Sequence, residues 1–114
     1  MQLDKITSSD ILDLTLPLSD RARHQCELAR DQEEAGNFEA ARQILSEFWQ
    51  RVGERPKLDG LDVAARADVL LRSGTLTGWI GSAQQISGAQ AIAKDLISES
   101  AGLFEELNLP ERVA

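Results

Sequence analysis

His24, Cys26 and Glu27 are the side chains best placed by type and spacing to do chemistry. On one helix His24 and Glu27 share a face at i, i+3, a spacing that could serve a metal ion or an activated thiol. A structural zinc ion needs four ligands, and the chain holds one Cys and one His, with no second cluster. Cys26 falls on an apolar stripe with Ala22 and Ala29, where a thiol packs as a small buried hydrophobe. The run Gly74, Gly78, Gly81 is glycine-rich, but no Gly-Lys-Ser/Thr ending follows it and no strand is expected before it. It therefore lacks the parts of a phosphate loop. Asp31, Glu33 and Glu34 form an acidic cluster. Acid–base catalysis needs carboxylates paired in a shaped pocket, and a solvated helix face is the simpler reading. Arg21, Arg23 and Arg30 read the same way, as solvated helix charge. We expect no catalytic residue, no metal site and no cofactor.

Trp49 and Trp79 are the largest apolar groups. Core packing is the default for both. An exposed Trp would mark an interface, because tryptophan is enriched at binding hot spots.

The elements that position these residues read as helices. Residues 1–18 form an arm in which Leu12, Leu14, Leu16 and Leu18 alternate with Asp13, Thr15 and Pro17. That period of two, with Pro17, predicts an extended segment whose leucines cover an apolar groove in this molecule or a neighbour. Ser19 is a candidate N-cap for a first helix reaching Ala35, with Asp20 in its first turn. Gly36-Asn37 ends it. A second helix runs from Phe38 to Val52, with Phe38, Ala41, Leu45, Phe48 and Val52 at spacings of three and four. Residues 53–61 are a loop containing Pro56 and Gly60. A third helix starts at Asp62 and reaches Gln85. Its glycines cost roughly 1 kcal/mol each against Ala, so it either breaks near Gly74 or packs closely against a neighbour. The single-face spacing favours the second. A fourth helix runs from Ala89 to Leu107, and Asn108 with Pro110 ends it. The fold class is all-α: two antiparallel helical hairpins, about 19–53 and 62–107, with residues 108–114 as a tail that could start a further helix.

The two hairpins repeat. Leu28-Ala29, Gly36, Ala41 and Leu45 match Ile80-Gly81, Gly88, Ala93 and Ile97 at a constant offset of 52 residues. With the turns Gly36-Asn37-Phe38 and Ser87-Gly88-Ala89, these residues carry a resemblance to tetratricopeptide-repeat (TPR) proteins. That motif sets a large and then a small residue in its first helix, a Gly-Asp/Asn-aromatic turn, and a small Ala in its second helix. Gln90 stands where the second turn aromatic would be. The offset exceeds the family repeat of about 34 residues, and long helices with the 53–61 loop would absorb the excess. An unrelated four-helix bundle is the alternative.

The resemblance implies a TPR-like right-handed α–α superhelix fragment whose first helices line a concave, peptide-binding face. It places the partner groove at Arg23, Glu27, Arg30 and Glu34, with Cys26 and Glu33 beside them. In the second unit it places it at Thr75, Trp79, Ser82 and Gln85, with Gly78. The Lys/Asn set that clamps C-terminal carboxylates in chaperone-binding members is missing. We expect a protein or peptide partner and a scaffold role.

Charge narrows the alternatives. The net charge is −7, and nucleic-acid affinity comes largely from Lys and Arg on phosphates, so neither nucleic acid nor an anionic membrane is expected as a partner. No apolar run approaches the roughly 20 residues of a membrane span, Met1 to Asp10 do not resemble a signal peptide, and a single Cys excludes an intrachain disulfide. A cytoplasmic location follows as the expectation. Two units fall short of the roughly three repeats that bury a continuous core. We therefore expect the chain to be the N-terminal part of a larger repeat protein, or to form a homodimer through an apolar face at Leu103 and Leu107. An enzyme on a helical scaffold is the third reading, and it lacks convergent polar groups.

Overall fold

The computed structural model describes residues 17–107. The expected leucine arm up to Leu16 and the tail 108–114 lie outside the described residues. Within them the chain is all-α, with no strand: α1 spans Leu18–Glu34, α2 Phe38–Ile44, α3 Val63–Ala83 and α4 Ala89–Glu106.

Helix α1 begins directly after Pro17, which stands at the N-cap with an extended ψ of 152°, and has Asp20 in its first turn. Ser19 is therefore inside the helix and does not cap it. Its Oγ instead accepts a hydrogen bond from the Asp62 backbone N–H at 2.9 Å, tying the starts of α1 and α3. Leu18, assigned to the arm by its alternation, packs partly buried on the core. Gly36 ends the helix at φ +85°, as a C-terminal glycine should.

The second helix is shorter than its apolar spacing implied. Regular α-helix stops at Ile44, and Ser46 and Phe48 then donate to the carbonyls of Gln43 and Leu45. These i→i+3 bonds are tighter than α-helical ones. They still turn Leu45, Phe48 and Trp49 inward, all fully or nearly fully buried. Trp49 is a core residue, and its indole N–H donates to the Glu54 carbonyl at 3.0 Å.

Helix α3 is continuous through Gly74 and is the central element, packed against α1, α2 and α4. Asp62 caps it, accepting from the Ala65 N–H at 2.8 Å. Its glycine face meets α4. A Cβ on Gly81 would overlap that of Ala89, and one on Gly74 would lie 2.8 Å from Ile97 Cγ1. The two helices run antiparallel, since Gly81 meets Ala89 at one end and Ser100 donates to the Ala67 carbonyl at 2.7 Å nearer the other. Helix α3 closes with Ile86 N–H donating to the Gly81 carbonyl and Gln85 at φ +55°, a left-handed position usually given to glycine.

The other side of α3 contributes Ala65, Val69, Leu76 and Ile80 to a core with Ala22, Cys26, Ala29, Ala41 and Leu45. Cys26 is a free buried thiol, and its desolvation pushes its pKa far above the ordinary range. Three cross-links, Ser19–Asp62, Arg23–Asp68 and Glu33–Arg72, climb both helices in the same order. Thus α1 and α3 run parallel while each hairpin is antiparallel.

Candidate functional site

Trp79 projects from the outer face of α3 and is 55% exposed. Its ring lies against Phe38, the first residue of α2, with centroids 5.6 Å apart and planes 7° from parallel. Each aromatic is held by a rigid helix, so the pair is fixed by backbone as well as by contact.

Two hollows meet at Trp79. The larger, about 660 Å³, is an open groove between α3 and α4. Gly74, Gly78, Ala93 and Ile97 line it where the helices approach, and Trp79 and Ile86 flank it. Trp79 and Ile86 are the two exposed large hydrophobic side chains among the described residues. No ionisable side chain lines the groove; its polar groups are Thr75, Ser82, Gln85 and Gln90. Thr75 Oγ1 donates back to the Leu71 carbonyl at 2.7 Å. Gln90 Nε2 donates to the Gly78 carbonyl at 3.0 Å. The smaller hollow, about 300 Å³, is lined by Arg30, Glu33, Glu34, Phe38, Arg72 and Trp79.

The groove positions implied by the family resemblance therefore separate. Thr75, Trp79, Ser82 and Gln85 line the apolar groove. Arg30 and Glu34 line the charged hollow, 3.8 Å apart. Arg23 and Glu27 are exposed and line neither, and Arg23 Nε donates to Asp68 Oδ2 at 3.3 Å. Ile86, Gln90 and Ile97 join this surface from outside the family's groove positions. The sequence sets Ile97 in the repeat and on the inner face of the fourth helix, and Ile86 lies in the turn between α3 and α4, outside any helical stripe.

Two groups expected to be solvated charge are structural. Arg72 Nη1 donates to Glu33 Oε1 at 2.6 Å, with both side chains largely shielded from water. Burial raises the Glu33 carboxyl above its ordinary value, while Arg72 and the Trp79 indole oppose that rise. Arg21 Nε donates to Glu47 Oε1 at 3.0 Å, and Gln25 Nε2 donates to the same oxygen at 3.0 Å. The Arg21 hydrogen bond holds Glu47 below its ordinary value against the opposing effect of burial.

Among the described residues no group of three or more His, Cys, Asp or Glu side chains could hold a metal ion, and no helix is long and apolar enough to cross a membrane. Leu103 and Leu107, the expected self-association face, are half-buried at the end of α4. Comparison of the chain with family models, with curated proteins and with solved structures gives no significant match.

Proposed function

We propose that the chain is a non-catalytic protein–protein interaction module of the TPR-like type, with its partner surface centred on Trp79. The observation that carries the reading is a large aromatic, more than half exposed, pinned between two hollows rather than folded into the core. Exposed Trp held in a rigid frame suits a binding hot spot, because its large apolar area is buried on association with little entropy loss. The uncharged groove suits an apolar ridge on a partner, and the Arg30–Glu34 hollow beside it would supply polar registration.

Two features of the packing are consistent with the TPR-like reading. The first helices of the two hairpins, α1 and α3, lie parallel and in contact, and α2 also packs on α3. The small residues of the repeat are buried: Ala29 and Ala41 fully and Ala93 nearly so, while an added Cβ at Gly81 would overlap Ala89.

The test uses the full chain as bait, wild type against Trp79→Ala. Partners that are lost with Trp79→Ala, while the variant melts near the wild-type temperature, support the surface; unchanged capture refutes it. Self-association is the second reading, motivated by the half-buried Leu103 and Leu107. Light scattering at micromolar concentration tests it, and a monomer there contradicts it.

A further inference from the structure

On the side of α3 away from Trp79 a second cleft, about 650 Å³, opens between the 53–61 loop, the start of α3 and the end of α4. Arg66 and Trp79 are thirteen residues apart on α3; at about 100° per residue they point roughly 140° apart. The cleft is built chiefly from charge. Arg55, Lys57 and Arg66 line it with Asp59 and Glu99.

Arg55 and Glu99 satisfy each other. Nη1 and Nη2 of Arg55 donate to the two carboxylate oxygens of Glu99, each at 2.6 Å. This fork ties the loop to α4, and the loop is further held by the Lys57 N–H donating to the Phe48 carbonyl at 2.6 Å and by buried Pro56. The loop is thus tied to α4 at the surface and to the end of the first hairpin through its backbone. Lys57 and Arg66 remain. Neither forms an ion pair among the described residues, whereas seven of the chain's arginines do. Arg66 Nε is shielded from water without a hydrogen-bond partner among them. Glu99 also feels the charge of Arg66, and the three cations Arg55, Lys57 and Arg66 set against Asp59 and Glu99 leave the cleft one net positive charge.

We propose that this cleft is a second binding site, which takes a single carboxylate on an acidic peptide segment of a partner protein. The charge count selects the ligand. One carboxylate neutralises the cleft, while a phosphate dianion would overfill it beside Asp59 and Glu99. A guanidinium forks onto the two oxygens of a carboxylate, and Lys57 adds a point charge. Leu58 and Leu103 line the same cleft, so the acidic residue is best flanked by apolar neighbours. The general field of a chain with net charge −7 opposes anions, so only a segment that seats its carboxylate between Lys57 and Arg66 is retained.

The experiment is an NMR titration of the full ¹⁵N-labelled chain with the peptide acetyl-Leu-Asp-Leu-amide. The expected result is a saturable shift of amides at 55–66 and 99–103. Binding should weaken about tenfold for the Leu-Asn-Leu peptide and for the Arg66→Gln chain, as loss of a charge-assisted contact implies. Lys57→Gln, in a flexible surface side chain, gives the same readout should Arg66→Gln fail to fold. Equal binding of the Asn peptide, undiminished binding by both variants, or shifts centred on Trp79 would overturn the site. The same shifts with inorganic phosphate at equal concentration would reduce it to a general anion trap and also overturn the proposal.

Discussion

The Trp79 ring stacks on Phe38 at 5.6 Å and 7°, joining the end of the second hairpin's first helix to the start of the first hairpin's second helix. The pair stabilises the contact between hairpins, yet much of the indole remains in solvent. Trp79→Ala should therefore cost about 1–2 kcal/mol, an aromatic pair plus the partial burial of the indole. A thermal melt monitored by circular dichroism checks it. A loss above about 3 kcal/mol would place Trp79 in the core, where truncation has that cost.

The three glycines of α3 make a graded set. An added methyl at Gly81 would overlap Ala89, and at Gly74 it would press on Ile97 and Leu96, whereas at Gly78 its nearest neighbour is Ala93 Cβ at an ordinary 3.6 Å. Gly81→Ala and Gly74→Ala should each destabilise by about 1–2 kcal/mol, overpacking less the gain in helix propensity. Gly78→Ala should be neutral or stabilising by up to about 1 kcal/mol. Urea denaturation of the three variants gives the order, and equal effects at all three would contradict the packing.

Arg72 and Glu33 should not be equivalent partners. Burial already disfavours the Glu33 carboxylate, so Glu33→Gln removes a strained charge and leaves an acceptor for Arg72. Arg72→Met strands that carboxylate in a shielded site. We expect Arg72→Met to cost about 2 kcal/mol and Glu33→Gln less than half of that. Chemical denaturation at pH 7 compares them.

Glu47 sets a pH dependence of known sign. Its folded carboxyl is held below the ordinary 4.5, first by Arg21. Its contribution is complete above the unfolded value and is lost as pH falls through the folded one. Stability should drop below about pH 4.5. Glu47→Gln should be less stable at pH 7 by about 1 kcal/mol, discounted for partial exposure, and its stability should fall less on acidification. Denaturant midpoints between pH 7 and 3 decide this. Glu33, with its raised carboxyl, acts in the opposite sense over its own window, so the two variants should bend the profile in opposite directions.

The helices were legible because apolar spacing reports which side chains must be buried. Ala22, Cys26 and Ala29 on α1 follow directly from it, and the single-face spacing of the α3 glycines favours the unbroken helix over a break near Gly74. The same logic overran at Ile44: turns of three residues carry Leu45 and Phe48 to the same side as α-helix would, so the spacing could not mark where α-helix stops. Charges were less legible. Arg72 and Glu33 stand 39 residues apart, and only the parallel packing of α1 on α3 brings them together. Trp79 is a groove position only through the family resemblance, and its exposure depends on how far α4 covers the glycine face. Lys57 and Arg66 had no motif at all, because the 53–61 loop sets their approach.

The measurement that bears most directly on the interaction surface is quantitative capture by the full chain and by Trp79→Ala, matched for melting temperature. The account predicts that specifically bound proteins fall at least about tenfold with the variant, the loss expected of a hot-spot tryptophan. The same proteins retained in the same yield would contradict it.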